Sequence, residues 1–80
     1  MKLEVLLFGI TADIIGSRTV FLEVENNISV GDFRELLTAK YPKLSSYKNF
    51  AIAINMEYAS DNTNINDGDT VALIPPVSGG

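Results

Sequence analysis

The last six residues, Pro75-Pro76-Val77-Ser78-Gly79-Gly80, hold the best candidate for chemistry in this 80-residue chain. The paired prolines favour an extended left-handed backbone that lifts the chain away from whatever precedes it. Val77 and Ser78 act as a spacer. Gly79 and Gly80 carry no side chains, so the backbone there fits a narrow channel or approaches a ligand closely. From Pro75 to Gly80 the reach is about 20 Å at most. Presented in this way, the α-carboxylate of Gly80 can be activated at the α-phosphate of a nucleotide and become an electrophile. No bulky side chain obstructs attack on it. A terminus that merely frays is the plain alternative.

The remaining residues offer little competing chemistry. There is no Cys and no His, so the commonest general base, the thiol nucleophile and the usual zinc ligands are all missing. Neither a self-contained hydrolase nor a metal site is expected, although Asp/Glu chemistry stays open. The net charge of −4 argues against a nucleic-acid backbone as partner. That charge is uneven. The six bases and six acids of residues 1–48 cancel, so the whole −4 lies in residues 49–80, on Glu57, Asp61, Asp67 and Asp69. Turn acids account for it most simply; an acidic end that docks on basic partners is the other reading. No apolar run is long enough to span a bilayer, and Met1-Lys2-Leu3-Glu4 is not a secretion signal. No membrane partner is expected, and the expected location is the cytoplasm.

The elements that must position the tail follow from periodicity. Lys2 to Phe8 reads as a strand with Leu3, Val5 and Leu7 on one face and Glu4, Leu6 and Phe8 on the other. Thr11 is placed to cap a short helical turn, Ala12 to Ile15, closed by Gly16. Thr19 to Glu25 alternates again, with Val20, Leu22 and Val24 inward. Ser29 is a good N-cap for the main helix, with Asp32 three residues on and Ile28 and Phe33 at the hydrophobic-staple positions. Val30, Phe33, Leu36, Leu37 and Tyr41 form one apolar stripe, and Pro42 ends the helix. Lys43 to Asn49 reads as polar loop. Phe50 to Asn55 reads as a strand with Ile52 and Ile54 inward, followed by a short strand around Tyr58-Ala59. Asp61 to Asn66 is Asn-rich and irregular. After the Asp67-Gly68 turn, Asp69 to Ile74 forms the last strand, with Val71 and Leu73 on one face and Thr70, Ala72 and Ile74 on the other. Pro75 stops it.

One domain spanning 1–80 results, an α+β unit in which a mixed sheet packs on one main helix, with 75–80 as an extended, flexible tail. Phe8, Ile74 and Tyr58 fall on the sheet face that otherwise carries polar residues. Parallel pairing of the first and last strands would set Phe8 beside Ile74, next to the root of the tail. Lone exposed apolar residues are ordinary, but a contiguous group marks an interface.

The stretch "DGDTVALIPPVSGG", Asp67 to Gly80, resembles the C-terminal signature of the small subunit of molybdopterin synthase, a sulfur carrier with the ubiquitin-like β-grasp fold. The resemblance extends to the opening "KLEVLLFG", the short helix closed by Gly16, the main helix and "AIN" at Ala53 to Asn55. It implies that a ubiquitin-activating-type enzyme adenylates the Gly80 carboxylate with ATP, that a persulfide enzyme supplies sulfur to make a thiocarboxylate, and that Gly79-Gly80 threads into a large catalytic subunit. There the sulfur would pass to a pterin precursor to build the dithiolene of molybdopterin. No permanently bound cofactor is implied, and catalytic side chains would belong to the partners. Phe8, Tyr58 and Ile74 fall where this family's sheet contacts its partners. Sulfur carriage for thiamine, amino-acid or tungsten-cofactor synthesis, ubiquitin-like modification of proteins and a plain binding module with an inert tail stay open at this point.

Overall fold

The computed structural model describes residues 1–47 and 49–75. Its elements are β1 (Lys2–Leu7), α1 (Ile10–Ile15), β2 (Thr19–Glu23), α2 (Val30–Lys40), a 3-10 helix (Pro42–Tyr47), β3 (Ala51–Ile54), β4 (Glu57–Tyr58) and β5 (Thr70–Ile74). The five strands form one mixed sheet in the order β2-β1-β5-β3-β4. β1 and β5 pair in parallel at its centre, from Glu4↔Thr70 to Leu7↔Leu73. The other neighbours pair antiparallel.

Alternation along the strands decides the core. Leu3, Val5 and Leu7 of β1, Leu22 of β2, Ile52 of β3 and Val71 and Leu73 of β5 are buried together with Val30, Phe33 and Leu37 of α2. Leu36 and Tyr41, at the margin of the helix stripe, are only partly buried, as is Ile54. α2 starts as the sequence predicts: the Ser29 hydroxyl accepts from the Asp32 amide at 3.1 Å. It ends with Tyr41 as C-cap, before Pro42.

Two stretches that read as irregular turn out to be structural. Residues 43–47 are not loop but part of the 3-10 helix, and Leu44 within it is fully buried. A single apolar residue in a polar run has no periodicity to betray it. The Asn-rich stretch 61–66 forms no strand, yet Ile65 is fully buried. Its amide donates to the Ile28 carbonyl at 2.8 Å, while the amides of Val30 and Gly31 donate to the Thr63 and Asp61 carbonyls. The segment therefore closes the N-terminal end of α2. Arg34 of α2 ties the helix to the start of β3: its Nη1 donates to the Phe50 carbonyl at 2.6 Å and its guanidinium lies over the Phe50 ring.

The short helix also differs. It begins at Ile10, two residues before the predicted start, with Gly9 at the N-cap and no side-chain cap. Thr11 lies inside it and is fully buried. Its hydroxyl donates to the Phe8 carbonyl at 2.6 Å and accepts from the Phe8 amide at 3.1 Å. A residue expected to cap a helix instead fixes the end of β1. Gly16 closes α1 in the left-handed conformation, as predicted.

Leu44 and Ile65 provide a test of the revised core. Each truncation to Ala should cost about 2–5 kcal/mol of unfolding free energy by urea titration, whereas Ser45→Ala should stay within about 0.5 kcal/mol. A loss below about 1 kcal/mol for both Leu44→Ala and Ile65→Ala would place these segments outside the cooperative core.

Candidate docking face and tail root

The site starts from the sheet face opposite α2. The register sets Leu6 beside Ala72, Ala72 beside Ala53 and Ala53 beside Tyr58, in a row that crosses four strands. Small side chains at Ala53 and Ala72 leave a low floor. Larger neighbours stand around it: Phe8 and Ile74 at one end, Met56 and Tyr58 at the other. The result is a shallow, open groove of about 330 Å³ lined by Leu6, Phe8, Ala53, Met56, Tyr58, Thr70, Ala72 and Ile74. Phe8 is 50% exposed and Tyr58 75%. Exposed apolar side chains gathered on one face are what protein interfaces use.

Phe8, Tyr58 and Ile74, the three residues singled out from the sequence, are thus brought to one groove. Leu6, Ala53, Met56, Thr70 and Ala72 were missed as lining. Alanines carry no signal of their own, and only the strand register shows that two of them fall side by side. The tail begins at the same place. β5 ends at Ile74, and Pro75 follows it against Gly9, where an added Cβ would lie 2.9 Å from the proline Cγ. Gly9 has φ +56°, a backbone conformation that residues with a Cβ rarely adopt. Pro76, Val77, Ser78, Gly79 and Gly80 lie outside the described residues.

The other end of the groove is held by a polar clamp. Asn55 and Met56 form the two-residue turn between β3 and β4, with φ +51° and +71°. Paired positive φ values mark the tight hairpin turn whose twist matches the strands. Asn55 reaches back to β5: its side chain accepts from the Thr70 amide at 3.0 Å and donates to Asp69 Oδ1 at 2.9 Å. Asp69 Oδ2 accepts from the Asn66 amide at 2.8 Å. That backbone bond first, and the Asn55 bond second, hold the Asp69 carboxyl below its ordinary pKa. Asp69 and Asp61, which lies 3.7 Å from Arg34, therefore serve local structure, in line with the simpler reading of the acidic C-terminal end.

Among the described residues no group of His, Cys, Asp or Glu is arranged to hold a metal, and no helix is long and apolar enough to cross a membrane. The exposed apolar side chains gathered on this face suit contact with another protein.

Comparison with known proteins places this arrangement. The fold is the ubiquitin-like β-grasp: a ubiquitin of Caldiarchaeum subterraneum superposes with a TM-score of 0.67 at 25% identity, over 100% of this chain and 98% of that one. By its sequence the chain belongs to the ThiS family, whose model matches residues 5–80. It is 36% identical to small archaeal modifier protein 1 of Haloferax volcanii over 92% of this chain and 95% of the relative. The crystal structure of that protein superposes with a TM-score of 0.84 and full coverage of both chains. The molybdopterin synthase sulfur carrier subunit of Chlamydomonas reinhardtii is 34% identical over 100% of both chains. A complex of subunits 1 and 2 of the molybdopterin-converting factor of Helicobacter pylori contains a chain 31% identical, with a TM-score of 0.69 and full coverage of both.

The lowered pKa of Asp69 fixes a pH dependence. A carboxyl that is more acidic in the folded state contributes stability above the ordinary carboxylate range, and that contribution is lost as pH falls through the lowered value. The gap in melting temperature between wild type and Asp69→Asn should be constant above about pH 5 and shrink below about pH 4. A gap independent of pH would show that the charge on Asp69 plays no part in the clamp.

Proposed function

We propose that this chain is a sulfur carrier, the small subunit of a molybdopterin synthase, whose reactive group is the C-terminal carboxylate of Gly80. The observation that carries this reading is the convergence of the tail root and the apolar groove. Ile74 lines the groove, Pro75 leads directly out of it, and five further residues remain, enough to reach about 17 Å into a partner seated on that face. Similarity to sulfur carrier subunits along the entire chain, and to a protein solved in complex with a second subunit, supports it.

The chemistry needs no side chain from this protein. A carboxylate oxygen of Gly80 attacks the α-phosphorus of ATP in the active site of an activating enzyme, and pyrophosphate leaves. A persulfide sulfur then attacks the acyl carbon and AMP leaves. Cleavage of the resulting sulfur–sulfur bond by a thiol of the donor system yields the thiocarboxylate. The loaded tail enters the large subunit, which this chain contacts through Phe8, Tyr58, Ile74 and their neighbours, and gives up its sulfur to the pterin precursor. With no Cys in the chain, no internal thiol competes for the activated acyl group.

Similarity to archaeal modifier proteins favours one second reading, in which the activated Gly80 is joined to lysines of other proteins. Intact mass separates the two. After incubation with ATP, an activating enzyme and a sulfur source, replacement of one oxygen by sulfur is expected. An unchanged mass with activators of demonstrated competence, or Gly80 recovered only in isopeptide bonds, would sink the carrier reading. Deleting Gly80, or adding one residue after it, should abolish sulfur transfer and leave the melting temperature within about 2 °C, since the tail supplies none of the described core. Phe8→Asp and Ile74→Asp should each weaken large-subunit binding by about tenfold or more, with Glu23→Lys much milder. Equal effects from all three would move the interface elsewhere.

A further inference from the structure

Met56 is the most exposed large apolar residue in the described structure, at 97%. It sits at the second position of the Asn55-Met56 turn with φ +71°. That position favours Gly, and a residue with a Cβ there carries backbone strain. The turn is not free to relax, because Asn55 is hydrogen-bonded through backbone and side chain to Thr70 and through its side chain to Asp69. A strained, solvent-exposed thioether is thereby held at the rim of the apolar groove. Neither the core nor the clamp uses its side chain.

The sulfur has one competitor in the chain. There is no Cys and no Trp, and the only other Met is Met1. Met1 is partly buried against the core, and its amine donates to the Val24 carbonyl at 2.6 Å. Thioether oxidation follows exposure. Met56 is therefore the more exposed of the two thioethers and the better placed for two-electron oxidation.

We propose that Met56 is a reversible oxidation site that switches docking on this face. The proposal rests on the reading of the groove as the docking surface for the large subunit. The Met56 sulfur attacks one oxygen of a hydrogen peroxide molecule and the O–O bond breaks. The sulfur gains one oxygen and loses two electrons; the peroxide is reduced to water. The sulfoxide is polar and chiral where the thioether was apolar and adaptable. A partner seated over it must desolvate the S=O group, so docking weakens. A thiol-dependent sulfoxide reductase returns the sulfur to the thioether: two thiols are oxidised to a disulfide, and the oxygen leaves as water.

The test uses the full chain and its own large subunit, with hydrogen peroxide as oxidant. Peptide mapping should place the first added oxygen on Met56, ahead of Met1. Titration calorimetry should show binding weakened about tenfold or more, as expected when one apolar side chain no longer buries well. Treatment with methionine sulfoxide reductase should restore it. Met56→Leu should lose the response, its affinity being the same before and after peroxide treatment. Met56→Gly should melt higher, because it removes the strain, yet bind more weakly. First oxidation at Met1, or unchanged affinity with Met56 fully oxidised, overturns the proposal. Phe8→Asp, titrated in parallel, tells the two failures apart. If it weakens binding while oxidation does not, only the switch fails; if it too has no effect, the docking surface itself is wrong and the switch falls with it.

Discussion

Everything in this molecule depends on one pairing, the parallel ladder between β1 and β5. It joins the first strand to the last at the centre of the sheet. Parallel neighbours need a long crossover between them, and here that crossover contains α2, which covers one face as it passes. The ladder sets Leu7 beside Leu73, and one residue further on Phe8 and Ile74 reach the same groove. The tail then leaves from the middle of the sheet, not from an edge. A partner that engages the tail therefore meets a broad surface around its root.

The two faces of the sheet divide the work by a period of two. Val5 and Leu7, Val71 and Leu73, and Ile52 point into the core; Leu6, Ala72 and Ala53 point the other way. Core and apolar groove are thus written in alternate residues of the same strands. Neither can slip in register without exchanging the two sets. The Thr11 hydroxyl, bonded to both backbone groups of Phe8, and the Asn55 clamp at the opposite end hold the two extremities of the groove in place.

Much of this was legible before any coordinates. β1, β5 and α2 are long enough for periodicity to speak, and the Ser29 cap and Gly16 stop are local chemistry that tertiary contacts left alone. Phe8, Tyr58 and Ile74 were visible as apolar residues on a polar face. What escaped were residues whose role is set by a distant partner. Leu44 and Ile65 are isolated apolar residues in polar runs, buried only because α2 and its neighbours leave space for them. Thr11 looked like a cap because hydroxyls cap helices, but the chain already bends at Gly9. Ala53 and Ala72 shape the groove by being small, a property that no pattern of hydrophobicity records. The tail proposed to be reactive was read from residue types and the family resemblance, and residues 76–80 lie outside the described ones.

The segment over the start of α2 carries a consequence for the handling of phosphate. A helix N-terminus with unpaired amides attracts anions. Here the amides of Val30, Gly31 and Asp32 are taken by Thr63, Asp61 and Ser29, and Asp32 adds a negative charge to the first turn. The strongest anion-attracting end of the fold is therefore neutralised from within. A phosphate brought to this end of α2 finds those three amides already engaged.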